Sequence, residues 1–193
     1  KPEKPSSRTR LRLRETIGGE ITPKSVAASG TGLIFAQNMM YRHSVTVYDA
    51  KTLELRKTIS DSVNLADFGY KDYPETNQGA PVEAAFSPDG AYAYVSNYSM
   101  YGPGFGPEGD DECTPSSGYD DSFVYRVDTE TLEIDQAIQV GAVPKYLEVT
   151  PDDRYLLVSN WCTYDLSVVD TETNAELTRI PLGAYPRGIA VDP

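Results

Sequence analysis

"PDGAYAYVSN" spans residues 88–97, and "PDDRYLLVSN" spans residues 151–160 of the same 193-residue chain. Both copies place a Pro-Asp turn before a short run of aromatic and branched residues that ends in Val-Ser-Asn. Such a run, bounded by turn residues, predicts a β-strand. A near-repeat within one chain indicates a repeated structural unit, so the period of the repeat decides the fold.

The period of the repeat is about forty residues, which is the size of one propeller blade. This spacing separates Pro151 from Pro193, whereas the longer interval from Pro88 to Pro151 indicates an insertion. The last full copy contains four candidate strands, "YLEVT", "RYLLVSN", "LSVVD" and "AELTRIPLG". We therefore predict an all-β fold, a β-propeller of four-stranded antiparallel blades, with about three complete blades plus partial first and last blades.

The strand order divides the chain into segments. Residues 1–10 are predicted to be a flexible basic N-terminal tether, and residues 11–193 the propeller. The predicted blades are residues 21–60, residues 80–141 with a long insertion, and residues 143–183. Residues 11–19 read as the outer strand of a closing blade, and residues 185–193 as the start of the next one. We therefore expect the chain to be a partial propeller, completed by blades from a second chain or a cleaved C-terminal part.

The repeats resemble those of the YVTN-type β-propeller proteins of bacteria and archaea, from about Leu11 onward. The resemblance rests on "SPDG" (87–90), "YVSN" (94–97), "IQVGAVPK" (138–145), "VSN" (158–160) and "LSVVDTET" (166–173). It implies a ring of seven blades and an extracytoplasmic location, whether periplasmic, cell-surface or secreted. It does not imply a single activity, because similar propellers include lactone hydrolases and the heavy subunits of periplasmic amine dehydrogenases.

Two long segments interrupt the blade pattern, residues 61–81 and residues 98–121. The first connects a fourth strand to the next first strand, and the second connects a second strand to a third, so both are expected on one face. They hold ten of the 29 acidic residues of the chain and one of its 17 basic residues. The candidate binding residues of this acidic, aromatic face are Tyr70, Tyr73, Tyr98, Tyr101, Tyr119, Trp161, Asp110, Asp111, Asp120 and Asp121.

Two roles stay open for this face. Acidic loops keep a protein soluble, and aromatic residues at loop bases often pack the loop down. Alternatively, the carboxylates and rings recognise a cationic, glycan or protein partner. Nucleic acid is not an expected partner, because the net charge is −12 and phosphate binding requires clustered Lys and Arg. No apolar stretch reaches the roughly 18 residues of a membrane-spanning helix.

The two cysteines fall in equivalent second-to-third loops of adjacent blades, and we predict a disulfide between Cys113 and Cys162. Such a bond indicates an oxidising compartment. His43 is the only histidine, so a Ser-His-Asp triad would depend on it alone, and we interpret it as a surface group. No catalytic residue is assigned. The one candidate cofactor is Ca²⁺, for which hard oxygen ligands without EF-hand spacing are supplied by Asp110, Asp111 and Glu112.

The favoured hypothesis is a non-enzymatic, extracytoplasmic binding or scaffold propeller that recognises a protein or cell-envelope ligand through the acidic, aromatic face. The alternative is a propeller enzyme, a lactonase-like hydrolase or a periplasmic dehydrogenase heavy subunit, with catalytic groups partly in blades outside this chain. A third hypothesis is a structural part of a larger cell-surface assembly.

Overall fold

The computed structural model describes residues 12–192, which consist almost entirely of strands and turns. The strands, in chain order, are β1 (Ser25–Ala28), β2 (Leu33–Asn38), β3 (Ser44–Asp49), β4 (Leu55–Ser60), β5 (Ser62–Asn64), β6 (Thr76–Gln78), β7 (Pro81–Phe86), β8 (Tyr92–Asn97), β9 (Ser122–Asp128), β10 (Glu133–Val140), β11 (Pro144–Val149), β12 (Tyr155–Asn160), β13 (Asp165–Asp170) and β14 (Ala175–Pro181). Two short 3-10 helices cover Leu65–Phe68 and Pro115–Ser117. No helix in this part of the chain is long and apolar enough to cross a membrane.

The strands form three antiparallel four-stranded sheets and one hairpin. The sheets are β1–β4, β7–β10 and β11–β14, each in simple sequential order, and the hairpin pairs β5 with β6. The first strands β1, β7 and β11 are neighbours, so the three sheets radiate from a common inner side like propeller blades. The predicted all-β propeller architecture is confirmed, and we call the three sheets the first, second and third blades.

Apolar residues of adjacent blades pack together because alternate residues of a strand point to opposite faces of its sheet. Between the first and second blades, Phe35 and Val47 pack near Val95. Between the second and third blades, Tyr94 and Ile138 are buried with apolar residues of β11, β12 and β13. Each blade is thus a layer of a continuous core, and no blade buries its apolar residues alone.

The repeated Asp at the end of each third strand has a structural role. The Asp49 carboxylate accepts hydrogen bonds from the backbone N–H groups of Lys51 and Thr52, and the Asp128 carboxylate accepts the equivalent bonds one blade later. These backbone donors stabilise the charged form and lower the pKa of both carboxyls. The Asp at the end of the third strand therefore specifies the tight turn to the fourth strand.

The repeated Asn at the end of each second strand is also structural. Asn38, Asn97 and Asn160 are all fully buried. The amide of Asn160 donates to Ser167 Oγ at 2.8 Å, and that of Asn97 donates to the carbonyl of Phe123 at 3.0 Å. Each Asn therefore joins the end of its strand to the third strand of the same blade, as expected for an amide at a strand end.

The predicted partial blades do not appear as strands. Residues 12–19 and 182–192 have no strand in the structure. The carbonyl of Arg187 nevertheless accepts a 2.6 Å hydrogen bond from Ser159 Oγ, which holds this segment against the third blade. The predicted tether of residues 1–10 lies outside the described residues, so completion of the outer blades stays a prediction.

Candidate functional site

The two long insertions emerge at the same end of the second blade. Pro81, at the start of β7, pairs with Asn97, at the end of β8. Residues 61–80 and 98–121 therefore lie at the same end of the strands of the second blade. The backbone of Gln78 pairs with that of Tyr101 through hydrogen bonds of 2.9 and 2.7 Å. We call the surface formed by residues 61–80 and 98–121 the loop face.

Most aromatic residues of the loop face are used for packing. Tyr73 stacks on Phe105 with ring centroids 4.7 Å apart, and both rings meet the edge or face of Phe123. Tyr70 packs on the same Phe123 ring, and its hydroxyl accepts a hydrogen bond from the backbone N–H of Gln139 at 3.0 Å. Of the two roles that the sequence left open, these contacts correspond to packing of the loops. The rings hold the insertions in place more than they offer free faces to a ligand.

A disulfide fastens the longer insertion to the third blade. Cys113 and Cys162 are joined with their Cα atoms 5.3 Å apart, and both are buried. The Trp161 indole N–H donates to the carbonyl of Asp111 at 3.0 Å, and the Tyr164 hydroxyl donates to the carbonyl of Cys113 at 3.1 Å. Trp161 is therefore a loop anchor, a role that the sequence alone did not separate from that of a stacking platform.

A buried lysine forms the second attachment of this insertion. The Lys145 ammonium lies 2.5 Å from Asp111 Oδ1, 4.6 Å from the centroid of Tyr98 and 5.1 Å from that of Trp161. Burial lowers the pKa of Lys145, opposed by the hydrogen bond to Asp111, and the same bond lowers the pKa of Asp111. Two aromatic faces and a carboxylate thus stabilise a charge that the sequence analysis did not single out.

The other candidate carboxylates also have internal partners. Asp110 accepts a hydrogen bond from the Tyr119 hydroxyl at 2.8 Å, and Asp120 accepts one from the backbone N–H of Gly106 at 2.6 Å. Asp121 forms a two-point ion pair with Arg179, with distances of 3.0 and 2.7 Å. These bonds order the insertion, and they leave Asp110 and Asp120 exposed to solvent.

The candidate calcium ligands do not converge. Within residues 12–192, no three His, Cys, Asp or Glu side chains are grouped so that they could hold a metal ion. Asp111 faces the Lys145 ammonium, which competes with a cation for the carboxylate, while Asp110 Oδ1 accepts the backbone N–H of Glu112 at 2.8 Å. The segment 110–112 is therefore arranged as a turn.

A histidine-carboxylate pair lies at the base of the loop face, and the sequence analysis missed it. His43 Nδ1 is 2.9 Å from the carbonyl oxygen of Gly79 and 3.4 Å from Asp61 Oδ2. Asp61 is 1% exposed, and its Oδ1 accepts a hydrogen bond from Gln78 Nε2 at 3.2 Å. Burial raises the pKa of Asp61 to about 6, opposed by that hydrogen bond and by His43. His43 is thus a partly buried partner of a buried acid, and its interpretation as a surface group is wrong.

The radiating four-stranded sheets, with their loops gathered at one edge, define a β-propeller. The chain matches the family described as "Lactonase, 7-bladed beta-propeller" over residues 41–191. It therefore belongs to this seven-bladed lactonase family.

One curated relative and two solved structures are similar to this chain. "Antigen Lp49" of Leptospira interrogans serogroup Icterohaemorrhagiae serovar copenhageni is 29% identical over 157 residues, which cover 81% of this chain and 29% of the antigen. "Kuenenia stuttgartiensis Hydrazine Synthase" has a TM-score of 0.61 at 21% identity, with 91% of this chain and 40% of that chain covered. "Dihydro-heme d1 dehydrogenase NirN in complex with DHE" has a TM-score of 0.59 at 18% identity, with 90% and 32% covered. These structural likenesses show the fold alone, and the chain spans less than a third of the length of the antigen.

Proposed function

We propose that this chain is part of an extracytoplasmic binding propeller whose loop face recognises a cationic protein or cell-envelope ligand. The observation that supports this most directly is the attachment of the longer insertion to the third blade by the disulfide and by Lys145. The backbone pairing of Gln78 with Tyr101 joins the shorter insertion to the longer one. These contacts hold the exposed carboxylates of the loop face in fixed positions, and within residues 61–80 and 98–121 the one basic residue is the exposed Lys71. The carboxylates are Asp67, Asp72, Glu75, Glu108, Asp110, Asp111, Glu112 and Asp120.

A fixed acidic surface suits a cationic partner for two physical reasons. Ordered loops lose little conformational entropy when they bind, so more of the contact energy is retained as affinity. Charges of one sign attract a partner of opposite sign and raise its association rate, an effect that salt weakens. Because the rings mainly anchor the loops, the proposed recognition rests on the carboxylates.

Two further parts of the proposal concern location and assembly. A buried disulfide and a relative described as an antigen support an extracytoplasmic location. The first and third blades each expose an apolar side chain: Val26 is 61% exposed and Leu177 is 57% exposed. These exposed residues support packing against further blades of a complete ring. The buried Asn97 and Asn160, each ending a "VSN" motif, support assignment of these blades to the YVTN subtype.

The binding proposal is tested with a lysine-rich peptide as the probe, by titration calorimetry at low and at high salt. Neutralising three exposed acids of the loop face in one variant (Glu75→Gln, Glu108→Gln, Glu112→Gln) is expected to weaken binding about tenfold at low salt. The matched control neutralises three exposed acids in the turns at the opposite end of the blades (Glu54→Gln, Glu130→Gln, Glu172→Gln). Equal weakening by both variants would mean that net charge, and not the loop face, binds the peptide.

Hydrolysis of a lactone is the second candidate function, and the His43–Asp61 pair together with the family match favours it. A carboxylate near Nδ1 orients an imidazole so that Nε2 can take a proton, as a general base requires. The test measures the hydrolysis of a panel of γ- and δ-lactones through the protons that the reaction releases. His43→Gln is expected to lower the rate at least a hundredfold, with Lys71→Gln on the same face as the control. If His43→Gln hydrolyses the lactones at the same rate as the unmodified protein, His43 does not have this role.

A further inference from the structure

We infer that His43 and Asp61 form a proton-operated latch that holds the two insertions of the loop face against the first blade. The latch joins three segments that lie far apart in sequence. His43 belongs to the loop between β2 and β3, Asp61 and Gly79 begin and end the excursion between β4 and β7, and Tyr101 belongs to the longer insertion. This inference goes beyond the proposed binding role, and it holds whether or not the loop face binds a ligand.

The contacts at the latch are few and specific. The Gly79 backbone N–H donates to the carbonyl of Asp61 at 3.1 Å, so the excursion closes on itself at its base. His43 Nδ1 then contacts Gly79 O at 2.9 Å from the neighbouring blade. The His43 ring also meets the Tyr101 ring edge-on, with centroids 5.5 Å apart. Opening this junction therefore requires the His43 contacts to break, and both insertions are affected.

The Asp61 carboxylate makes the junction sensitive to protons. Its Oδ2 is buried and has no hydrogen-bond partner, although His43 Nδ1 lies 3.4 Å away. A buried carboxylate with an unused oxygen is costly when it is charged, and a proton on Asp61 removes that cost. A proton is thus bound more tightly by the closed junction than by an opened one in which water reaches Asp61. Acidification therefore closes the latch, and a rise in pH loosens it.

Among residues 12–192, the other titratable groups that face the latch are two tyrosines and one glutamate. Tyr101 and Glu108 face it from the longer insertion, and Tyr125 faces it from β9. The negative charge of Asp61 contributes to raising the pKa of both tyrosines, after the larger effect of burial, so they stay neutral across the range in which the latch operates. Glu108 is exposed. The proton that matters is therefore the one that Asp61 binds.

Hydrogen exchange at several pH values tests the latch. The protection of backbone N–H groups in residues 76–79 and 98–102 is measured by mass spectrometry between pH 7.5 and 5.0. Asp61→Asn is compared at each pH, so that the intrinsic effect of pH on exchange cancels. Since the pKa of Asp61 is about 6 in the closed junction, protection in the unmodified protein is expected to rise about tenfold by pH 5. In Asp61→Asn it is expected to stay flat.

Asp72→Asn is the matched control, because Asp72 is an exposed carboxylate of the same excursion. It is expected to keep the rise in protection. The latch is disproved if the protection of these N–H groups changes with pH equally in Asp61→Asn and in the unmodified protein. It is also disproved if acid lowers the protection in the unmodified protein. If Asp61→Asn does not fold, the side-chain amide signals of Gln78 in the unmodified protein give the same answer by NMR. They are expected to shift with a midpoint near pH 6, and amide signals that stay constant from pH 4.5 to 7.5 also disprove the latch.

Discussion

Lys145 and Asp111 form an ion pair between partners of very different exposure: the side chain of Lys145 is 5% exposed and that of Asp111 is 71% exposed. The lysine comes from the third blade and the aspartate from the insertion of the second blade. The pair therefore links a buried charge of the scaffold to a loop whose carboxylate water can reach. Its two members are expected to respond differently to mutation.

Asp111→Asn is expected to lower the free energy of unfolding by about 1 to 2 kcal/mol, because it replaces the carboxylate charge beside the buried Lys145 ammonium with a neutral amide. Lys145→Met is expected to change it by less than about 1 kcal/mol, since an apolar chain of similar volume fits between Tyr98 and Trp161 and Asp111 stays hydrated. Urea denaturation at pH 7 measures both. Glu112→Gln, at an exposed neighbouring position, is the control, and a larger loss for Lys145→Met than for Asp111→Asn would contradict this account.

The disulfide is expected to be a major source of stability for the second and third blades. Cys113 and Cys162 are 49 residues apart, and closing a loop of that length restricts the unfolded chain by about 4 kcal/mol. The double variant Cys113→Ser, Cys162→Ser is expected to lose up to that amount in urea denaturation. Because both sulfurs are buried, reductant alone is expected to leave the bond intact until denaturant is added. Rapid reduction of the folded protein, followed by intact mass measurement, would contradict the buried position.

Two glycines lie so close to the repeated asparagines that a side chain does not fit. A Cβ on Gly141 would lie 2.7 Å from the Asn160 side chain, and a Cβ on Gly79 would overlap the side chain of Asn97. Gly141→Ala and Gly79→Ala are each expected to lower the free energy of unfolding by about 1 to 3 kcal/mol, because the buried Asn cannot move without breaking its bonds to the third strand. Thermal unfolding measures the loss. Gly183→Ala is the control, since nothing lies within 4 Å of its added Cβ.

Sequence reasoning succeeded where a feature repeats and failed where it occurs once. The blade order follows from spacing, and the Cys113–Cys162 pairing follows from equivalent loops of adjacent blades. The packing of Tyr73 on Phe105 was not predictable, because loop composition does not tell which way a ring points. The His43–Asp61 pair was missed for a similar reason: the two residues lie in different connections, and neither belongs to a motif. Only the folded chain brings them together.

Asp61 is expected to make global stability depend on pH. Burial raises its pKa in the folded protein to about 6, above the value of 3.8 for a free side chain. The folded state therefore binds this proton more tightly than the unfolded state, so the contribution to stability is full in acid and is lost as the pH rises through 6. Asp61→Asn mimics the protonated side chain at every pH. It is expected to exceed the unmodified protein in stability by up to about 3 kcal/mol at pH 7.5, with the difference vanishing toward pH 4.

Urea denaturation at pH 4.5, 5.5, 6.5 and 7.5 measures this difference for Asp61→Asn and for the exposed control Asp72→Asn. The Asp72→Asn curve is expected to run parallel to that of the unmodified protein, whereas the Asp61→Asn curve diverges above pH 5. If the free energy of unfolding depends on pH in the same way in all three proteins, Asp61 is hydrated in the folded state. The pH dependence of hydrogen exchange in residues 76–79 would then also be absent.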